Sequence, residues 1–171
     1  MTPARNYLAW LWLSVAIIVV DQWSKWLVSS KMYLGESLPI IADLFHFTRA
    51  HNYGAAFSFL HDAGGWQRWL FAGIAVAVSV GMLIWLRRLP QHARFLACAI
   101  TLLLGGAIGN LYDRIVLGYV VDFLHVFYGN WHFPAFNIAD CAISIGAAML
   151  VIDALFLEKR REALNQLGEQ A

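Results

Sequence analysis

The chain has 171 residues, of which 60% are hydrophobic and only 13% are charged, against roughly 25% charged in an average soluble domain. That composition excludes intrinsic disorder, and 12 basic and 11 acidic residues are too few to give a globule of this size a polar skin. A net charge of +1, with no basic stretch carrying interleaved aromatics, gives no footing for a nucleic-acid partner.

A helix that crosses a bilayer needs about 20 mostly apolar residues, and four segments qualify. The first is Leu8–Val28. Arg5 before an apolar run resembles a secretory leader, but no small-x-small cleavage site follows, so an uncleaved first span is expected. It runs into Asp21-Gln22-Trp23-Ser24-Lys25. The segment 29–65 then holds short runs at Leu38–Ile41, Leu44–Thr48 and Ala55–Leu60, separated by turn formers such as Asn52-Tyr53-Gly54. The second span is Trp66–Leu86 and the third Phe95–Ile115. Trp69–Leu86 and Phe95–Tyr112 each run 18 residues without a charge. In the next connection, 116–135, Val120–Tyr128 is rich in strand formers and Gly129-Asn130 follows as a turn. The fourth span is Phe136–Phe156. The polar tail from Glu158 to Ala171 is expected to extend the last helix or fray.

These elements predict one membrane-embedded domain over residues 1–171. Its fold class is an all-α polytopic membrane protein: four transmembrane helices with a small extracytoplasmic β-sheet. Arg5, Arg87, Arg88, Arg94 and Lys159–Arg161 fall on one side, against Lys31, Arg49 and Arg68 on or near the other. By the positive-inside rule both termini are cytoplasmic. Trp10, Trp26, Trp66 and Trp85 near span ends suit an interfacial belt. Cys98 and Cys141, in apolar helical stretches, read as small core residues.

With that topology, Asp21 and Lys25, then Asn110, Asp113 and Arg114, then Asn137 and Asp140, all fall at the outer ends of their spans. Asp122 lies in the connection just before the last of these. Only Asp153 falls near the cytoplasmic end, where a structural role is expected. Ionisable residues in a membrane are costly and are functional candidates by default. Asp21 and Lys25, spaced i, i+4 with the acid first, suit a structural helix pair. Asp113 and Arg114 read either as a helix end reaching water or as substrate-binding groups. Asn110 and Arg114 share a face suited to a paired contact with a carbonyl. Asn137 followed by Asp140 matches an N-cap and its N3 residue. Asp122, inside an apolar strand-like run, requires a partner. Gly105, Gly106 and Gly109 suit close helix approach rather than phosphate binding.

Other chemistries lack their residues. There is no His-Glu-x-x-His motif and no Gly-x-Ser-x-Gly elbow. Ser58 reads as a strand residue. The six histidines (His46, His51, His61, His92, His125, His132) show no tight ligand spacing, so neither a metal nor a cofactor is expected. The turn around Gly129, Asn130 and Pro134 lets Asp122 and Asp140 fold back towards each other. Two carboxylates within hydrogen-bond reach share one proton. The ionised member can take a proton from water while the protonated one donates to a scissile carbonyl oxygen. The positive end of the fourth span favours Asp140 as base and leaves Asp122 as acid.

Five ordered motifs resemble bacterial lipoprotein signal peptidase (signal peptidase II), a family of aspartic endopeptidases of the inner membrane. They are Asp21-Gln22-Trp23-Ser24-Lys25, Asn52-Tyr53-Gly54-Ala55-Ala56-Phe57, Gly105–Asn110 with Asp113-Arg114, Val121-Asp122-Phe123, and Phe136–Asp140. The resemblance implies that Asp122 and Asp140 are catalytic. It implies that Asn52, Gly54, Asn110, Arg114 and Asn137 contact the substrate backbone or support the pair, and that Asp21, Lys25 and Asp113 are structural. It further implies cleavage of prolipoproteins on the amino side of a diacylglyceryl-modified cysteine, inhibition by globomycin, and four helices with a β-cradle and a surface helix. A monomer in contact with membrane lipid is expected, with the outer segment able to close over the site. Two rivals set different expectations. A proton-coupled transporter needs polar groups through the bilayer midplane, and a scaffold needs only a polar cluster that locks helices together.

Overall fold

The computed structural model describes residues 7–54, 65–90 and 92–158. A single 3₁₀ turn, Tyr7–Trp10, leads into α1, Leu11–Lys31. Then come β1 (Ser37–Ile41), β2 (Phe45–Asn52), α2 (Gln67–Arg87), α3 (Arg94–Val116), β3 (Val120–Tyr128), β4 (Trp131–His132) and α4 (Ile138–Ile152). A π-helical turn, Asp153–Leu157, extends α4. Among the described residues four helices are long and apolar enough to cross a membrane: Tyr7–Lys31, Gln67–Arg87, Arg94–Val116 and Ile138–Leu157. The expected spans hold with shifted ends. The first runs three residues further, to Lys31. The last starts at Ile138 because Asn137 caps it. Arg5, Lys159–Arg161 and the tail beyond Glu158 lie outside the described residues, as do Ala55–Leu60 with Ser58, and His61.

The helix α3 is the centre of the bundle. It packs against α1, α2 and α4, and 61% of its apolar window is buried, against 17% for each of the other three. Small residues make this possible. A Cβ on Gly105 would sit 2.9 Å from Ile17 Cβ of α1. One on Gly106 would run into the Ala139 carbonyl oxygen of α4. Gly146 of α4 returns the approach: a Cβ there would sit 2.8 Å from the Ala99 carbonyl oxygen. The other helices turn large apolar side chains outward, among them Trp12, Val19, Trp23, Trp69 and Ile145. That surface is stable only in lipid. The N-terminus of α3 lacks a side-chain cap of its own, and the buried Tyr7 hydroxyl accepts from Ala93 N at 2.9 Å instead.

The strands form one antiparallel sheet in the order β1-β2-β3-β4. β3 has the expected bounds, whereas β2 continues past Thr48 to Asn52. Among the described residues the outer segments hold strands and turns and no surface helix. A turn through Gly118, at φ +89°, joins α3 to β3 and needs the backbone freedom of glycine. The pairing of Ala50 with Asp122 and of Asn52 with Val120 brings β2 alongside the acidic residue of β3.

A buried ionic cluster ties helices to sheet. Lys25 Nζ lies 2.7 Å from Asp21 Oδ2 and 2.9 Å from Asp113 Oδ2, and donates to Asn110 Oδ1 at 3.0 Å. Asp21, Lys25 and Asp113 are 0%, 3% and 1% exposed. Asp113 is therefore not a helix end reaching water. It is drawn inside by Lys25, and it accepts from Val121 N at 3.2 Å. Asp21 Oδ1 accepts from Ala139 N at 2.8 Å. Gln22 Nε2 donates to Asp113 Oδ1 at 2.8 Å, to Asp21 and to the Gly109 carbonyl.

Two stability outcomes follow from this packing. Gly106→Ala places a methyl against a backbone oxygen that cannot yield and costs about 1–3 kcal/mol. Gly81→Ala, which meets nothing within 4 Å, is the neutral control. Thermal unfolding in detergent separates the two, and equal midpoints would contradict the close approach. Lys25→Met leaves two buried carboxylates without their cation, at a cost of about 3–5 kcal/mol. A wild-type midpoint in that variant would show the cluster to be dispensable.

Candidate active site

The end of the bundle that carries the sheet holds a cavity of about 670 Å³, within the range of small-ligand pockets. Its polar lining includes Asn52, Asn110, Arg114, Asp122 and Asp140, and its apolar wall includes Val120, Phe133, Phe136 and Ile143. Ile145 lines the cavity and is also exposed on the outside of α4. The cavity therefore adjoins the apolar surface of the bundle.

Each carboxylate is positioned by its element. Asp140 sits at N3 of α4, where a reciprocal capping box forms: Asp140 N donates to Asn137 Oδ1 at 2.9 Å, and Asn137 N donates to Asp140 Oδ2 at 3.3 Å. The expected capping pair is thus present, and it faces the cavity. Asp122 is the third residue of β3 and is 2% exposed. Its required partners are amides: Asn52 Nδ2 donates to Oδ2 at 3.0 Å and Asn137 Nδ2 to Oδ1 at 2.7 Å.

Asn137 therefore serves both acids, capping the helix of one and donating to the other. Its amide also reaches Asn110 Oδ1 at 3.2 Å, and Asn110 Nδ2 donates to Asp140 Oδ1 at 2.7 Å. Among the described residues the two carboxylates do not hydrogen-bond each other. Each is held by its own amide partners, and both line the same cavity. Burial first, and the charge of Asp140 second, push the Asp122 carboxyl up to about 7, against the pull of its two amide donors.

Arg114 and Gly54 complete the constellation. Arg114 Nη2 donates to the Gly54 carbonyl at 3.2 Å and Nη1 to the Asn110 carbonyl at 3.2 Å. Gly54 N donates to Asn52 Oδ1 at 3.0 Å. The candidate residues Asn52, Gly54, Asn110, Arg114, Asp122, Asn137 and Asp140 thus gather here and Asp21, Lys25 and Asp113 in the adjoining ionic cluster, whereas Asp153 is buried in the π-helical turn at the opposite end. The midplane spread of acids that a transporter requires is not seen among the described residues. Two contributors carried no assigned role in the sequence. Gln22 closes the cluster from within the first motif. His51 lines the cavity, stacked at 3.7 Å on Tyr119, and a stacking partner 68 positions away leaves no local signal.

This arrangement has counterparts in known proteins. The family model for signal peptidase (SPase) II matches residues 13–156. A lipoprotein signal peptidase of Acinetobacter baylyi is 56% identical over 154 residues, covering 90% of this chain and 86% of the relative. One from Pseudoalteromonas translucida is 57% identical over 158 residues, covering 92% and 95%. A solved structure described as a bacterial membrane enzyme, obtained by the in meso method, superposes with a TM-score of 0.80 at 29% identity, covering 89% of this chain and 91% of that one. With the match running through all four helices and both acid-bearing elements, the chain belongs to the signal peptidase II family, whose members are aspartic-type peptidases.

Proposed function

We propose that the protein removes the signal peptide from prolipoproteins by water activation between Asp122 and Asp140, cutting on the amino side of a diacylglyceryl-modified cysteine. The observation that carries this reading is the pair of carboxyls on one cavity, joined through Asn137 and lacking a direct bond to each other. Asp140 lies at the positive end of α4, which favours its ionised form. It acts as base and takes a proton from water. Asp122 holds a proton up to about pH 7 and donates it to the scissile carbonyl oxygen as the water attacks. A protonated oxygen retains a lone pair, so an amide donor can stay in place. The tetrahedral intermediate then collapses as the proton on Asp140 passes to the leaving amine, and Asp122 recovers its own. The step balances without a metal, a cofactor or a covalent intermediate.

Asn52, Gly54, Asn110, Arg114 and Asn137 hold the peptide backbone and the pair in register, while Asp21, Lys25 and Asp113 fix the elements beneath. The apolar wall at Phe133, Phe136 and Ile143 takes the acyl chains, which reach it from the lipid side past Ile145. The same chemistry makes globomycin an occupant of the cavity and an inhibitor. In this reading the protein is a monomer of the bacterial inner membrane, with both termini cytoplasmic and the cavity at the outer leaflet.

Asp122→Asn and Asp140→Asn are each expected to lower processing of a lipidated precursor by about 10²–10⁴-fold, the scale of lost acid–base catalysis, while remaining folded. The mass of the precursor after mixing is the readout, and substantial cleavage by either purified variant overturns the assignment. The pH dependence has a defined sign. Asp122 works in its protonated form, so activity falls as pH rises through about 7. It also falls on the acid side as Asp140 takes up a proton. A carboxyl whose native pKa is raised favours the folded state at low pH. Stability therefore declines between the ordinary value of 3.8 and about 7 and levels off above, and Asp122→Asn abolishes that slope.

A further inference from the structure

A continuous chain of side chains crosses the sheet away from the carboxyl pair. Ser37 Oγ of β1 meets His46 Nδ1 at 3.0 Å and Thr48 Oγ1 at 2.8 Å, both on β2. Thr48 Oγ1 meets His125 Nδ1 of β3 at 3.3 Å. His125 Nε2 meets His132 Nδ1 of β4 at 3.2 Å, with the two rings stacked at 5.3 Å. Every strand contributes a member.

The last link has the most to hold. β4 is two residues long and exposed, and it leads directly into Phe133–Phe136, which line the cavity. That wall is tied to β3 by the two paired positions of β4, by Phe133 N to the Val126 carbonyl, and at Phe136 by its N to the Leu124 carbonyl and its carbonyl accepting from Phe123 N and Leu124 N; between Phe133 and Phe136 no backbone bond to β3 is seen among the described residues. Phe127 of β3, across from His132 in the register, stacks on its ring at 5.2 Å.

We propose that His125 and His132 are positioning residues for the substrate wall: their contact clamps β4 to β3, and double protonation of the pair releases it. The inference rests on the peptidase reading only for its consequence in activity. Its physical basis is the donor count. In the neutral pair one ring nitrogen donates and the other accepts. A first proton leaves the contact intact, since one ring can still accept. A second makes both facing nitrogens N–H donors and sets two cations side by side. The titratable groups that act on His125 are His132 and His46 of β2, and burial together with these imidazoles holds it below the ordinary value of 6.5. Thr48 and Ser37 complete the surroundings with hydroxyls. The clamp is closed at neutral pH and opens on the acid side of the histidine range.

The test uses the full chain in detergent. Hydrogen-exchange protection of the Phe133 and Phe136 amides, without substrate, is compared with that of Leu104 in the core between about pH 7.5 and about pH 5, across the histidine range. Wild-type protection at these two amides is expected to fall about tenfold or more relative to Leu104, and in His132→Gln to stay level, because glutamine accepts from a charged or neutral His125. With a lipidated precursor, KM of wild type should rise over the same interval while KM of His132→Gln stays flat and kcat follows one profile in both. His125→Gln should behave as His132→Gln does. Level protection in wild type, or the same KM profile in wild type and His132→Gln, overturns the proposal. Because protection is read without turnover, a chain that cleaved no precursor would still report on the clamp.

Discussion

Lys25 is the point on which the structure turns. Its ammonium group lies inside the bundle between two carboxylates and an amide oxygen. A cation with that many partners can be desolvated, and one without them cannot. The carboxylates it neutralises are then free to bond backbone, and the bonds they make are specific. Asp21 takes Ala139 N, the residue before Asp140, and Asp113 takes Val121 N, the residue before Asp122. One ionic cluster thus fixes the approach of α4 and of β3. The two acids are placed by backbone bonds beneath them as much as by their own side-chain contacts.

Above that base the site is organised by amides. Asn137 has enough donors and acceptors to cap α4 and bond Asp122 at once, and Asn110 links Lys25 to Asp140. Amides suit this position because they carry no charge into a buried site yet satisfy carboxylates whatever their protonation state. A lysine or arginine in the place of Asn137 would hold Asp122 ionised. Arg114, which lines the same cavity, spends two of its hydrogen bonds on the Gly54 and Asn110 carbonyls.

The bundle follows from its solvent. Lipid is as apolar as a protein core, so hydrophobic burial does not decide which face of a helix turns inward. Close packing of small residues and pairing of polar ones decide it. That is why α3, with Gly105, Gly106 and Gly109, is central while α1, α2 and α4 present tryptophan, valine and isoleucine outward. Polar pairing also brings Asp21, Lys25 and Asp113 together at the end of the bundle next to the sheet, whereas Asp153 is buried apart at the other end.

Elements whose signals are local were legible along the chain. Scarcity of charge and runs of about 20 apolar residues marked four spans, β-branched and aromatic residues marked Val120–Tyr128, and Asn137 with Asp140 marked the start of the last helix. The i, i+4 spacing of Asp21 and Lys25 announced their pairing. Packing in three dimensions makes Asp113 the second partner of Lys25, gives Asp122 its partners Asn52 and Asn137, and sets the two acids on one cavity without a bond between them. It alone aligned the hydroxyls and imidazoles from Ser37 to His132 across four strands. These contacts join residues from 7 to 88 positions apart, and their geometry depends on helix crossings and strand register. Local spacing carries no information about either, because apolar helices in lipid pack by shape and by polar pairing rather than by the sequence period that reveals them.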